Sequence, residues 1–226
     1  MYSPSKTLRM TKGVFPPVKL DTGLDIDLLP EVYSPSDDSF LLLEIVELSR
    51  GETFLEMGSG SGLVSVHAAK AGARVVAADI NPNAVACTRR NASRNGVRVE
   101  AIESDLFEKV PGVFDVIAFN PPYLPQEATS TSWMERSWSG GGEGSEIAVR
   151  FMEHAWMHLA PRGKVFIILS SLGGVMSVLK AAKERYDSQM LIEKHMFFES
   201  IFGYRFALKS SVAEIRERSI NSGLLD

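Results

Sequence analysis

Residues 56–62 read Glu56-Met57-Gly58-Ser59-Gly60-Ser61-Gly62, and this stretch decides the fold. It follows a short apolar segment at 53–57 that is typical of a strand, and it precedes a helical pattern at 63–71. Glycines between a strand and a helix let the backbone approach a nucleotide-like ligand closely. The stretch therefore predicts an α/β fold with a ligand at this turn. A tight strand-to-helix turn without a ligand is the structural alternative.

Strands and helices alternate on both sides of this turn. The pattern predicts strands at 53–57, 74–78, 97–102, 114–119 and 165–169, helices at 37–48, 63–71, 81–95, 147–159 and 174–185, a loop at 126–145, and a hairpin of 190–198 with 204–209. Such alternation indicates a mostly parallel, seven-stranded sheet with helices on both faces and a C-terminal antiparallel hairpin. We expect ligands to bind beyond the carboxyl ends of the strands.

Composition bounds the class of protein. The 226 residues fit one domain, which we place at 31–226 after an arm at 1–30. A net charge of −4 offers no general attraction to nucleic acid. The lone Cys87 excludes an intramolecular disulfide and favours a cytoplasmic location. No apolar run is long enough for a membrane span, and we expect no metal, although His154 and His158 lie four residues apart on a predicted helix.

Acidic residues follow the second and third predicted strands. Asp79 stands where a carboxylate can accept hydrogen bonds from ribose hydroxyls, and a helix cap is its alternative role. Asp105 can accept from an adenine amino group while Leu106 packs on the ring, although an ordinary loop acid is also compatible. The glycine turn and Asp79 alone would equally fit a nicotinamide dehydrogenase.

The most specific motif is Asn120-Pro121-Pro122-Tyr123, directly after the apolar strand at 114–119. The side-chain oxygen of Asn120 and the carbonyl of Pro121 can each accept one N–H of a substrate NH2 group. The two prolines fix the backbone, and Tyr123 offers an aromatic face to a planar amide or base. The motif predicts a slot for a flat, nitrogen-bearing group; a proline-rich turn without this role is the alternative.

Together these motifs resemble the class I, S-adenosylmethionine-dependent N-methyltransferases of Rossmann-like fold that carry an Asn-Pro-Pro-Tyr motif. The segment 33–42 and the loop Trp138-Ser139-Gly140-Gly141 are similar to the short archaeal and eukaryotic branch of the HemK-related release-factor glutamine methyltransferases. The segment 36–39 reads Ser-Asp-Asp-Ser, where that branch usually carries a Glu-Asp-Thr or Glu-Asp-Ser core, which is a conservative departure. From the resemblance we expect no counterpart of the extra N-terminal helical domain that bacterial members carry.

The resemblance implies methyl transfer to the glutamine side-chain amide of a Gly-Gly-Gln loop in a translation termination factor. It also implies a small zinc-binding activator of the Trm112 type, paired with the strand at 97–102. Asn120, Pro121 and Tyr123 would be catalytic. The residues expected to bind S-adenosyl-L-methionine are Tyr33, Ser39, Glu56, Gly58, Gly60, Gly62, Asp79, Ile80, Asp105, Leu106 and Asn120.

Two other functions stay open at this point. An RNA or DNA methyltransferase acting on adenine N6 or guanine N2 would use the same slot for a flipped base. Four arginines could contact phosphates or form a solvated helix face: Arg89, Arg90, Arg94 and Arg98. A cofactor-binding scaffold without turnover is the third possibility. Methyl transfer to the intact termination factor would separate the first function from both others.

Overall fold

The computed structural model describes residues 21, 23–125, 132–142 and 144–221. The helices are α1 (Asp37–Ile45), α2 (Leu63–Lys70), α3 (Pro82–Arg94), α4 (Trp133–Arg136), α5 (Glu146–Ala155), α6 (Val175–Ala182) and α7 (Ser210–Asn221). The strands are β1 (Thr53–Met57), β2 (Arg74–Asp79), β3 (Val99–Glu103), β4 (Phe114–Phe119), β5 (Leu159–Ser170), β6 (Tyr186–His195) and β7 (Ser200–Leu208).

The seven strands form one sheet in the order β3-β2-β1-β4-β5-β7-β6. β3, β2, β1, β4 and β5 run parallel, whereas β7 pairs antiparallel with both β5 and β6. The predicted α/β fold with an antiparallel C-terminal hairpin is therefore confirmed. The chain reverses its direction of winding between β1 and β4, and such a switch point opens a crevice at the carboxyl ends of the strands.

The central strands of the sheet are buried on both faces. One apolar cluster packs against α5 and α6 and includes Phe119 and Phe151, whose ring centroids lie 4.7 Å apart. A second cluster covers the opposite face and includes Leu42 of α1 and Phe54 of β1. Burial on both faces explains why β4 is an almost continuous apolar run rather than an alternating one.

Several element boundaries differ from the predictions. α1 ends at Ile45 instead of residue 48, and α5 ends at Ala155, after which Trp156–His158 forms a 3-10 turn. β5 begins as early as Leu159, which pairs with Phe114 across a bulge in the β4–β5 register. The helical apolar pattern continued through Leu159, but pairing with the sheet decides its conformation.

Two helices were missed. α4 lies inside the predicted loop and has only four residues, too few for a periodic signal. α7 follows β7 and packs on β5, where the Nε of the buried Arg216 donates to the carbonyl of Leu159 at 3.3 Å. The charged composition of α7 gave no indication of this contact with the sheet.

Among the described residues, no helix has the length and hydrophobicity to cross a bilayer, and no three His, Cys, Asp or Glu side chains converge as metal ligands.

Three of the four arginines in the basic cluster have partners inside the chain. Arg90 contacts Asp27 at 2.6 Å, and Arg94 contacts Asp25 at 2.5 Å. Arg89 donates instead to the carbonyl of Ala101 at 2.6 Å. The pairs with Asp25 and Asp27 hold the segment before α1 along α3. The cluster is thus engaged internally, which weakens the phosphate-contact interpretation.

Asn91 of α3 joins this segment to the glycine turn. Its Nδ2 donates to the carbonyls of Ser61 at 2.8 Å and Asp27 at 2.9 Å, and its Oδ1 accepts from the N–H of Asp27 at 3.0 Å. The side chain is fully buried. One amide therefore satisfies three backbone groups, and the carbonyl of Asp27 also accepts from the Cys87 thiol at 3.4 Å.

Replacing Asn91 by alanine is expected to lower the free energy of unfolding by about 2 to 3 kcal/mol, because buried backbone groups lose their partners. Urea denaturation monitored by circular dichroism measures this. Asn83→Ala is the matched control, since Asn83 lies on the same helix with an exposed side chain. Equal stability of the two variants would contradict the anchoring role.

Candidate active site

A cavity of about 650 Å³ opens at the carboxyl ends of β1, β2 and β4, where the switch point predicts it. The predicted site residues that line it are Tyr33, Ser39, Glu56, Gly58, Gly60, Asp79, Ile80, Asp105, Leu106, Asn120, Pro121 and Tyr123. Gly62 is the one predicted site residue that is not among the lining residues. Side chains separated by up to 90 positions in the sequence thus share one cavity.

Glycine is required for a different physical reason at each of the three positions in the turn. Gly58, Gly60 and Gly62 all have positive φ angles, of 65°, 51° and 77°. A Cβ at Gly58 would lie 3.0 Å from the ring of Phe119, whereas a Cβ at Gly60 would meet open space. A Cβ at Gly62 would lie 2.9 Å from the Cα of Thr88 on α3. Gly62 therefore permits close packing of α2 on α3, a role that the motif alone did not reveal.

Asp79 ends β2 and joins the glycine turn to α3. Its Oδ2 accepts from the N–H of Gly60 at 2.9 Å, and its Oδ1 accepts from the N–H of Asn81 at 2.8 Å. Burial raises the pKa of this carboxyl despite these hydrogen bonds. Each oxygen keeps a second lone pair, so the carboxylate can shape the turn and still accept from hydroxyl groups of a ligand.

Glu56 lies under the cavity floor at the end of β1. Its Oε2 accepts from the N–H of Ser65 at 2.8 Å and from the Ser65 hydroxyl. Desolvation raises the pKa of Glu56 from an ordinary value of 4.5 to about 8. The hydrogen bonds from Ser65 oppose this rise and fix the first turn of α2 against the glycine turn.

Glu56→Gln is expected to remove a pH dependence of stability. Because the pKa is raised to about 8 in the folded state, stability is full below pH 4.5 and falls as the pH rises toward 8, by up to about 1.4 kcal/mol per pH unit. Glutamine keeps an acceptor for Ser65 without the buried charge. Urea unfolding at pH 5 and pH 8 measures the difference. Glu100→Gln, at an exposed position, should retain the wild-type pH slope, and an unaltered slope in Glu56→Gln would refute the buried charge.

Asp105 and Leu106 follow β3 at the cavity wall. Leu106 has a φ of 47°, a left-handed conformation that is uncommon for a residue other than glycine. The Ser104 hydroxyl donates to the carbonyl of Leu106 at 2.8 Å and helps to hold this turn. The carboxylate of Asp105 contacts Arg150 of α5 at 3.3 Å, an exposed ion pair. Arg150 was not predicted, because it comes from a distant helix.

Asn120 stands at the end of β4 with an unsatisfied acceptor. Its Oδ1 is buried and has no hydrogen-bond partner among the described residues. A buried acceptor without a partner costs about 1 to 3 kcal/mol, so such an atom in a cavity indicates a binding role. Pro121 and Tyr123 line the cavity beside it, and burial raises the pKa of Tyr123, which keeps its hydroxyl protonated. The arrangement can accept an N–H group from a bound ligand.

Residues 138–142 and Gly144 hold the backbone after this motif. The N–H of Leu124 donates to the carbonyl of Trp138 at 2.8 Å, and the N–H of Gly140 returns a hydrogen bond to Leu124 at 3.0 Å. A Cβ at Gly140 would lie 2.1 Å from the carbonyl oxygen of Gly144 and 2.7 Å from that of Pro122. Only glycine at residue 140 permits this close backbone packing.

Asp38 was not among the predicted site residues, but the structure places it in the cavity wall. Asp38 is 5% exposed, and its carboxylate accepts from the hydroxyls of Ser36 at 2.7 Å and Tyr33 at 3.2 Å. The N–H of Ser39 also donates to it, at 2.6 Å. This network fixes Tyr33 over the cavity. The Ser-Asp-Asp-Ser pattern was its only sequence signal.

α4 closes the remaining side of the cavity with Trp133 and Arg136, neither of which was predicted. Arg136 lies over the Trp133 ring, 5.1 Å from its centroid. The Ser132 hydroxyl donates to the carboxylate of Glu31 at 2.9 Å, which ties α4 to the segment before α1. This bond lowers the pKa of Glu31. The contact spans about a hundred positions, so no local pattern could indicate it.

Comparison with known proteins shows the family to which the chain belongs. Residues 6–197 match the profile of the family described as methyltransferase small domain. A relative from Methanocaldococcus jannaschii, provisionally named protein N5-glutamine methyltransferase, is 43% identical over 71% of this chain and 83% of its own length. Methyltransferase HEMK2 of Mus musculus is 36% identical over 69% of this chain and 79% of its own length.

A solved structure supports the fold assignment. The E. cuniculi Mtq2-Trm112 complex, described as responsible for methylation of the eRF1 translation termination factor, contains a chain that superimposes with a TM-score of 0.65. The match covers 79% of this chain and 99% of that chain, at 21% sequence identity. At this identity the likeness establishes a shared architecture.

Proposed function

This chain belongs to the methyltransferase small domain family, in its HemK-related branch, and we propose that it methylates a glutamine side-chain amide in a translation termination factor. It is an S-adenosylmethionine-dependent methyltransferase. The observation that carries the substrate proposal is the buried Oδ1 of Asn120 at the cavity, which finds no hydrogen-bond partner in the described part of the chain. An amide NH2 group supplies the hydrogen bond that this oxygen lacks. The target glutamine is proposed to lie in a Gly-Gly-Gln loop.

The cavity fits the cofactor in both volume and chemistry. We propose that Gly58 and Gly60 approach the cofactor through their backbone. A Cβ at Gly60 would meet open space, and Asp79 retains lone pairs for hydroxyl groups. We propose that Asp105 and Leu106 receive the adenine, while Tyr33 and its neighbour Ser39 lie over the amino-acid part. When bound, S-adenosylmethionine supplies a methyl group on a positively charged sulfur. The proposed cofactor-binding residues also include Glu56, Gly62, Ile80 and Asn120.

The chain's contribution to the reaction is proposed to be positioning and electrostatic stabilisation. An amide nitrogen is a weak nucleophile, because its lone pair is delocalised into the carbonyl. Asn120 Oδ1 and the carbonyl of Pro121 accept the two N–H groups and aim the nitrogen. These bonds strengthen as the N–H groups gain positive character in the transition state. Tyr123 confines the amide plane, and the extra proton leaves only after transfer, so no general base is required.

We also propose a small zinc-binding partner of the Trm112 type that pairs with β3. β3 lies at one edge of the sheet, where its backbone can accept a further strand. The carbonyl of Ala101 in β3 receives a hydrogen bond from Arg89 at 2.6 Å. We expect the Arg89 side chain to change conformation and release this carbonyl when the partner adds a strand to β3.

The proposed function is tested by transfer of radiolabelled methyl from S-adenosylmethionine, with the chain co-expressed with its candidate zinc partner. The substrates are a termination factor, the same factor with its Gly-Gly-Gln glutamine replaced by alanine, and total RNA. Label in the intact factor and not in the glutamine variant is the expected result. Label only in RNA would refute the proposal and establish base methylation instead.

A further inference from the structure

The turn between β6 and β7 exposes two adjacent aromatic side chains. Phe197 is 94% exposed and Phe198 is 88% exposed, and their ring centroids lie 5.3 Å apart. With Met196, they are called the aromatic tip here. Large apolar side chains grouped in this way on a surface are typical of a binding site, because water contact with them is unfavourable.

The aromatic tip lies at the same edge of the sheet as the substrate slot. β6 ends and β7 begins at this turn, and β7 runs antiparallel to β5, so the turn stands beside the carboxyl end of β5. The N–H of Ser171 donates to the carbonyl of Ser200 at 2.9 Å, and the Ser170 hydroxyl donates to the carboxylate of Glu199. These bonds fix the tip against the end of β5.

A short segment connects this position to the slot. The N–H of Gly173 donates to the carbonyl of Ser170 at 2.9 Å. A Cβ at Gly173 would lie 2.7 Å from the Cβ of Tyr123, so its backbone packs directly on the slot residue. Leu172 and Met176 flank Gly173 and are 43% and 75% exposed. An apolar rim therefore extends from the slot toward the aromatic tip.

The charges around the tip favour a protein segment over a nucleic acid. Lys194, the nearest lysine in sequence, already contacts Asp37 at 3.0 Å. Glu199 lies next to Phe198, and Glu193 lies 3.8 Å from the imidazole of His195. A phosphate backbone would meet these carboxylates, whereas apolar side chains would meet the phenylalanine rings.

We propose that the aromatic tip, with Leu172 and Met176, is the docking surface for apolar side chains that flank the methylated glutamine in the protein substrate. This inference rests on the proposed function. The slot binds only the amide group of the glutamine. The substrate residues on either side of the glutamine must therefore lie outside the cavity, along its rim. Exposed aromatic side chains there supply binding energy without touching the reacting atoms.

The test compares steady-state kinetics of Phe197→Ser/Phe198→Ser with wild type, both bound to the candidate zinc partner, on the intact termination factor. We expect KM for the factor to rise about 10-fold or more, with kcat within 2-fold and unchanged cofactor affinity. The matched control is Ile215→Ser/Ile220→Ser, which alters two exposed apolar residues on α7 and should behave as wild type.

The outcomes separate this inference from the proposed function. Methylation of the factor by wild type with an unaltered KM in the tip variant would overturn the docking surface alone. Loss of self-association in the tip variant by sedimentation, without a KM effect, would likewise overturn it and assign the tip to a second copy of the chain. No methylation of the factor by wild type would remove the proposed function and the docking site together.

Discussion

Asn120→Ala is expected to reduce kcat for methyl transfer by roughly 100- to 1000-fold at saturating cofactor, the range seen when one preorganised transition-state hydrogen bond is removed. The Oδ1 of Asn120 is a buried acceptor at the cavity that has no partner among the described residues. Without this oxygen, the substrate amide nitrogen is no longer oriented toward the methyl group, and its N–H groups are no longer stabilised in the transition state. Initial rates with radiolabelled cofactor and intact termination factor measure the loss.

The same substitution should not destabilise the free protein. Removing an acceptor that is buried and unpaired relieves a cost, so the free energy of unfolding should stay equal or rise. Loss of activity with retained stability would separate a functional asparagine from a structural one such as Asn91. Asn83→Ala, the exposed control, should retain full activity. A wild-type kcat in Asn120→Ala at saturating cofactor would contradict the slot.

Local signals carried most of the prediction of the fold. The glycine turn, the alternation of apolar strands and amphipathic helices, and the motif after β4 depend on neighbouring residues, so the sequence indicated them directly. The parallel sheet then brings the carboxyl ends of its strands together. This explains why Asp79, Asp105 and Asn120 share a cavity, although they lie at or just beyond the ends of three separate strands.

The missed features depend on contacts between distant parts of the chain. Arg150 reaches Asp105 from α5, and Glu31 caps the start of α4, and neither contact has a local pattern. Asp38 was not predicted as a site residue because its burial in the cavity wall depends on how α1 packs. Gly62 shows a related case: a glycine predicted from a ligand-binding motif also permits close packing of α2 on α3, which the motif did not indicate.

The second large expected loss of activity follows from a substitution at Gly140, whose backbone packs against the motif that forms the slot. Gly140 packs between two backbone carbonyls, that of Pro122 within the motif and that of Gly144. These are backbone atoms in a tightly closed loop, so they cannot move aside as a flexible side chain can. Any added Cβ at Gly140 must therefore displace the Pro122 segment, and with it the carbonyl of Pro121 and the ring of Tyr123.

Gly140→Ala is accordingly expected to lower kcat about 100-fold, because displacement of a positioning group by about 1 Å costs on that order. The stability of the sheet should change much less, since residue 140 lies in a loop outside it. Gly142→Ala is the matched control in the same loop: its nearest contact would be the Glu146 carboxylate at 3.6 Å, an ordinary distance. Comparing kcat and thermal midpoints of the two variants distinguishes support of the slot from general loop sensitivity. If both variants lost activity equally, close packing at Gly140 would not be the cause, and the slot would depend on flexibility of the whole loop.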